Sequence, residues 1–377
     1  MKIDIIGAGI GGLTTAIALE QKGFETRIFE QAATIKPVGA GIILANNAMQ
    51  VFEKLGLKEE IEAHGNHISS MNLTKPNLKP LSKVDLSYFE KKHGVQNTAI
   101  HRGTLQQILL NKLQSTEVHL NHRLNTVERH APIYSLLFEN GKHVQSSTLI
   151  AADGLRSAVR NALFSNNEIR EAKQVCWRGV THFNLPEQYA HELNEAWGKD
   201  DRFGFVQIAP NKVYWYALKS FQNDPSECSL DNITTYFEGY HPLMIDLISS
   251  TPKEHINTAV IADLAPTNTW YQDNLCLIGD AAHAMTPNLG QGACQAIEDA
   301  YVLSECLHAY DVNTAFEKFQ QLRLPKAHRV VKTRWNVGKL AHMTNPLLIG
   351  IRNQLMRMTP SSVSRKQSEH IFQLSQL

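Results

Sequence analysis

Residues Leu275 to Ala300 read LCLIGDAAHAMTPNLGQGACQAIEDA, and residues Lys2 to Gly23 read KIDIIGAGIGGLTTAIALEQKG. Each is a short apolar run, a glycine-bearing turn and a helical pattern, and they lie near opposite ends of a 377-residue chain. Leu275, Leu277 and Ile278 predict a buried strand, and Gly279-Asp280 ends it with a carboxylate placed to bind a hydroxyl. Gly290-Gln291-Gly292 then leads a helix whose apolar face is Ala293, Ala296, Ile297, Ala300, Leu303 and Leu307. One such turn makes one electropositive helix N-terminus. Two of them, so far apart, call for a single long ligand held from both ends of the chain.

In the first motif Ile3, Ile5 and Ile6 predict a buried strand, and Gly7, Gly9 and Gly12, with Gly11 between, stand in G-x-G-x-x-G register. Leu13, Ala16, Ile17 and Leu19 give the next helix an apolar face, and Gly23 stops it. Bare backbone at Gly9 lets a pyrophosphate approach the unpaired N–H groups of the helix. A second strand, ETRIFE, ends at Glu30, 23 positions after Gly7, where an acid accepts hydrogen bonds from an adenosine ribose. These residues do not separate NAD from FAD, but Glu30 opposes a 2′-phosphate. The second turn suits the pyrimidine end of a flavin, which becomes anionic on reduction.

Lys+Arg 37 against Asp+Glu 36 leaves a formal charge of +1, which argues against nucleic acid as a partner. The five cysteines are odd in number and lack C-x-x-C spacing, the pattern expected of a reducing cytoplasm. The strand starting at Ile3 leaves no room for a signal peptide, and no apolar run approaches the ~20 residues of a membrane span. Repeats and low-complexity linkers are absent, so the domains are expected to interleave. A membrane is not an expected partner: NPLLIGIRNQLMRMTP predicts an amphipathic helix packed across the two domains, with membrane contact as the alternative.

Between these ends, AIHRGTLQQILLNKL places Arg102 at a strand-to-helix junction, either on the surface or reaching a phosphate or ribityl oxygen. STLIAADGLRSAVRNAL repeats the strand, turn and helix with Asp153-Gly154 in the turn. From about Gln174 to Pro266 the strand-like segments VCWRGVTHFNL, FGFVQIAP, KVYWYALKS and INTAVIADLAP predict a mostly antiparallel sheet. In KVYWYALKS, Val213, Trp215 and Ala217 face one way and Tyr214, Tyr216 and Leu218 the other, one face for a core and one for a ligand. Arg178, Gln207 and Trp215 are the substrate-binding candidates from these strands. HLNH places His119 and His122 three apart on a strand, on opposite faces, so no metal site is expected; H-E-x-x-H and G-x-S-x-G are absent.

The fingerprint at Gly7, Gly9 and Gly12 with Glu30, the Asp153-Gly154 turn and GDAAHAMTPNLGQGACQAIEDA, in that order, resemble the single-component FAD-dependent aromatic hydroxylases and epoxidases of the para-hydroxybenzoate hydroxylase fold. IKPVGAGI, WRG, VYW, RLPKAHRV and NPLLIGIRNQLM resemble its compact branch, with salicylate hydroxylases, urate hydroxylases and zeaxanthin-epoxidase-like enzymes. The resemblance implies an α/β fold: a Rossmann-like FAD-binding domain with an inserted, mostly antiparallel substrate sheet and C-terminal helices. The expected segments are 1–75, 100–173 and 267–310 for FAD, 76–99 and 174–266 for the substrate domain, and 311–377 for the helices. It further implies that Asp280 holds a ribityl hydroxyl, Arg102 the flavin chain, Asp153 the phosphate side, and Gly290, Gln291 and Gly292 the isoalloxazine, with Pro287 bordering the substrate. Gln31, beside the ribose acid, stands where many members carry a basic residue; Cys294 replaces Asn and Asn353 replaces Asp.

The family's cycle then implies non-covalent FAD, NAD(P)H as a transient co-substrate without its own Rossmann domain, and dioxygen delivered through a flavin hydroperoxide to an aromatic or polycyclic carbon. The cofactor carries that chemistry, so no catalytic triad is expected. A flavin-dependent reductase of the same fold and a non-catalytic flavin-binding module are the alternatives; no W-x-W-x-I-P segment suggests a halogenase. Asn288, expected beside the flavin and facing the substrate, stands where urate hydroxylases carry an acid. An amide is no base near neutral pH. The expected substrate is therefore not urate but an extended apolar or polycyclic compound, or a partly ionised phenol.

Overall fold

The computed structural model describes all residues except 36–39, 166, 289 and 376, so part of IKPVGAGI and Leu289 of the second glycine loop lie outside the described residues. Lys2–Ile6 is central in a six-stranded sheet whose order is Tyr271–Gln272, Leu275–Leu277, Leu149–Ala151, Lys2–Ile6, Glu25–Phe29 and Glu117–His119. All neighbours pair in parallel except the first two. The strands that precede the two opening glycine turns and Asp153-Gly154 are thus brought side by side, and their C-terminal ends face one crevice, the usual position of a ligand on an open parallel sheet. Ile3 and Ile5 are fully buried, as are Leu275 and Leu277. The helices Ile10–Gln21 and Gly292–Ala309, each launched from a glycine turn, pack against one another.

The second large sheet has seven strands in the order Asn257–Leu264, Ile169–His182, Lys212–Ser220, Asp201–Ala209, Glu192–Trp197, Ser70–Thr74 and Pro80–Asp85. Every pair is antiparallel except Glu192–Trp197 with Ser70–Thr74. Ser70–Thr74 joins this sheet, so the first excursion starts before residue 76, and the second begins at Ile169 instead of 174. Helices Val312–Ala341, Pro346–Met358 and Ser361–Phe372 finish the chain. Among the described residues no helix is long and apolar enough to cross a membrane.

His119 and His122 depart from the expectation of opposite faces. The strand ends at His119, Asn121 turns the chain with φ of 59°, and the two rings come within 5.6 Å of each other. Both lie against Phe29, so they pack as rings in a cluster.

Candidate functional site

A cavity of about 1090 Å³ runs between the parallel sheet and one face of the seven-stranded sheet. Ligand pockets usually hold about 300–1,000 Å³, so this one has room for a dinucleotide and a second small molecule. Gly7, Gly9 and Gly11 line one end. A Cβ on Gly9 would meet nothing within 4 Å, which leaves the backbone open to a ligand. Gly12 has a different role: it does not line the cavity, and its Cβ would fall 2.0 Å from the Gly7 carbonyl oxygen, so it lets the helix seat on the turn. Glu30 and Gln31 border the same end. The Glu30 carboxylate accepts the Ala8 N–H at 2.7 Å and the Ala32 N–H at 2.8 Å, which fixes it against the glycine turn.

Further along stand Arg102, the first residue of the helix Arg102–Lys112, and Asp153. One oxygen of Asp153 accepts the Val159 N–H at 3.3 Å, and the other is buried with no partner. Burial pushes the Asp153 carboxyl up, against the hydrogen bonds that stabilise its charge. Asp280 lines the cavity, and its side chain is exposed. Desolvation by the surrounding protein pushes its carboxyl up as well, while His283 and Arg102 pull it down. Gly279 precedes it with φ of +55°. Gly290, Gly292 and Pro287 also line this end, whereas Gln291 is buried, its side-chain oxygen accepting from Gln295.

A salt-bridge network not expected from the sequence holds this turn. Asp299 accepts the Gly279 N–H at 2.9 Å, His283 Nε2 at 2.6 Å and Arg323 Nε at 2.7 Å. Arg323 also donates to Glu298 at 2.5 Å, and Lys326 donates to both Glu298 oxygens at 2.7 Å. Asp299, Glu298 and Arg323 are fully buried. Burial would push the Asp299 carboxyl up, but His283 and Arg323 outweigh it and hold it well below the ordinary range. The peptide that orients Asp280 is thereby clamped to the long helix Val312–Ala341.

Along the seven-stranded sheet, strand alternation decides which residues face the cavity. Arg178, Arg202, Tyr214 and Tyr216 line it. Two expected residues lie on the other face. Trp215 is fully buried in the core behind the sheet, stacks on Phe203 at 5.6 Å and donates from Nε1 to Thr251 at 2.8 Å. Gln207 pairs across the strands with Val213, on the same side as Trp215. Asn288 does not face the cavity either: its Nδ2 donates to the Arg334 carbonyl at 2.6 Å and to Thr286 at 2.9 Å, tying the loop to the long helix. The exclusion of urate therefore cannot rest on Asn288.

Glu195, Arg202 and Tyr216 form a unit that no sequence motif marks. The Tyr216 hydroxyl donates to Glu195, which also accepts Trp197 Nε1 at 2.6 Å and pairs with Arg202 at 3.4 Å. A Cβ on Gly204 would fall 2.1 Å from Tyr216 Cζ, so that glycine lets the ring lie across the strand and reach Glu195. Arg202 Nε is buried and unpartnered. Burial and then Glu195 push the Tyr216 hydroxyl far up, keeping it protonated. The alternation in NEAW and DRFGF carries the signal, but only once the strand register is known.

The sequence family described as "FAD binding domain" matches residues 1–333. The chain is 33% identical to an aurachin C monooxygenase/isomerase of Stigmatella aurantiaca, over 96% of this chain and 95% of that protein. It is 29% identical to a 2-heptyl-3-hydroxy-4(1H)-quinolone synthase of Pseudomonas aeruginosa, over 99% and 98%. Its fold matches the structure of Klebsiella pneumoniae HpxO complexed with FAD and uric acid, with a TM-score of 0.88, 24% identity and coverage of 98% and 96%.

Proposed function

The chain belongs to the FAD binding domain family and is an FAD-dependent monooxygenase, and from that premise we propose that it hydroxylates a 4(1H)-quinolone-like fused heteroaromatic bearing an apolar side chain. The observation that carries this reading is the substrate wall: the Tyr214 and Tyr216 rings beside one polar point made of Tyr216, Glu195 and Arg202. A 4(1H)-quinolone offers a ring N–H and a carbonyl. Because the Tyr216 proton is committed to Glu195, its oxygen lone pairs are free to accept the N–H, and Arg202, which lines the same wall, places a positive charge beside the carbonyl. Drawing the ring proton toward Tyr216 raises electron density at the carbon beside the carbonyl, the position an electrophilic oxygen attacks.

FAD fits this chain: the open backbone at Gly9 and the orphaned oxygen of Asp153 are what an elongated, hydroxyl-bearing dinucleotide would satisfy. When bound, FAD supplies dioxygen activation with electrons taken from NAD(P)H. Glu30 would hold its ribose, the Gly7–Gly11 turn its pyrophosphate, Arg102, Asp153 and Asp280 its central chain, and Gly290 and Gly292 its ring. Pro287 would border the substrate. NAD(P)H would bind transiently, since one dinucleotide fingerprint is present. Five buried, unpaired cysteines support a reducing, cytoplasmic setting, and the balanced charge supports no nucleic-acid partner.

The reading is tested by NAD(P)H oxidation under air with 2-alkyl-4(1H)-quinolones, urate and salicylate, with products identified by mass spectrometry. The quinolones should stimulate oxidation most and gain one oxygen; tighter coupling with urate would overturn the substrate class. Glu195→Gln should lower kcat/KM for the quinolone by about 10²-fold, the lower end of what a positioned proton acceptor contributes, with FAD content unchanged. An unaltered kcat/KM and pH profile would remove Glu195 from the reaction.

A further inference from the structure

The helix Pro346–Met358 is packed inside out. Its start is well made: Pro346 occupies the first turn, and the Asn345 side chain accepts the N–H groups of Leu347 at 2.9 Å and Leu348 at 3.3 Å. It rests on the strand Pro80–Asp85 and on the end of the long helix. The side turned inward is anchored by a cation. Arg352 is buried, donates to the carbonyls of Leu340 at 2.9 Å and Ala341 at 3.2 Å, and lies 5.3 Å from the Trp197 ring centre. The apolar residues point out: Leu347 is 79% exposed, Ile351 57%, Leu355 62% and Met358 68%. Spaced by four, four and three, they form one line along the helix. Leu348 and Leu340 are exposed beside it. A helix docked on a globular domain ordinarily buries its apolar stripe, and a contiguous exposed one marks an interaction surface.

Charge identifies the occupant. From Lys339 through Ser368 the chain has no Asp or Glu, but carries Lys339, Arg352, Arg357, Arg365 and Lys366, although the whole protein is balanced to +1. Lys339, Arg357 and Lys366 are exposed. Glu369, the next acid, is paired with Lys92. An apolar line on a segment that carries cations and no acids of its own is the pattern of a helix lying in the headgroup region of an anionic bilayer. A two-fold pairing of this surface with a second copy would set like charges against each other. We propose that Pro346–Met358 is a membrane-surface contact that seats the enzyme peripherally on anionic lipid. This reverses the expectation that the helix hides its apolar side between domains, and it stands independently of the substrate assignment.

The test uses the full-length, FAD-loaded protein, sedimented with vesicles of phosphatidylcholine alone or of equal parts phosphatidylcholine and phosphatidylglycerol. The wild type should co-sediment with the mixed vesicles and be released by salt. The Ile351→Glu/Leu355→Glu double variant, altered only at exposed positions, should partition at least about tenfold less with its flavin spectrum unchanged. Arg357→Gln should weaken binding to the mixed vesicles alone. Failure of the wild type to bind either vesicle, or equal binding by the double variant, would overturn the proposal. So would a wild-type dimer that becomes monomeric in the double variant without vesicle binding, which would identify the surface as a contact between copies.

Discussion

Replacing Arg323 by methionine is expected to cost about 3–5 kcal/mol of folding stability, because removing one partner of a buried ion pair leaves the other charges uncompensated. Arg323 is fully buried and contacts both Asp299 and Glu298. Lys326 and His283 remain to pair with the acids, so partial compensation favours the lower part of that range. The loss should depend on pH. The folded-state pKa of Asp299 is depressed, so its contribution is complete above the ordinary carboxylate value of about 3.9 and is lost as pH falls toward the folded value. Without Arg323 the folded-state value rises, and acid unfolding should begin at higher pH than in the wild type. Denaturant unfolding at neutral and acid pH measures both effects. A variant with wild-type midpoint at neutral pH would show that the network does not hold the fold together.

Asp280→Ala is expected to weaken FAD retention by roughly 1.5–3 kcal/mol, or about ten- to 150-fold, through loss of a charge-assisted bond to a ribityl hydroxyl. The position favours such an effect: Asp280 lines the cavity, and its preceding peptide is clamped by Asp299. Its own removal should disturb folding little, since its side chain is exposed and lines the cavity. Flavin affinity by fluorescence titration of the apoprotein, together with thermal unfolding, separates the two. Unchanged flavin affinity in a folded variant would remove Asp280 from the cofactor site.

The sheet that receives the cofactor was legible because its signals are local. Ile3, Ile5 and Leu275, Leu277 are apolar runs ending in glycine turns, and each motif contains its own strand, turn and helix start. The cavity wall formed by the seven-stranded sheet was half legible. The alternation of Tyr214, Trp215 and Tyr216 was readable, but which parity faces the cavity depends on what packs behind the sheet. Trp215 went to the core because Phe203, Ala217 and Thr251 wait there. Glu195 and Arg202 could not be joined to Tyr216 because their proximity comes from antiparallel register across three strands. Asn288 is turned away by the long helix, which enters from 46 residues further along the chain. The Asp299–Arg323 pair is likewise a contact between helices, invisible to motif spacing.

The central claim is that this protein uses bound FAD to place one atom of dioxygen on an organic substrate. The direct measurement is turnover of a 2-alkyl-4(1H)-quinolone with NAD(P)H under isotopically labelled dioxygen, followed by mass spectrometry of the product. One labelled oxygen per product molecule, with FAD released on denaturation of the enzyme, is the result predicted. Product carrying only water-derived oxygen, or turnover equally fast without dioxygen, would contradict it.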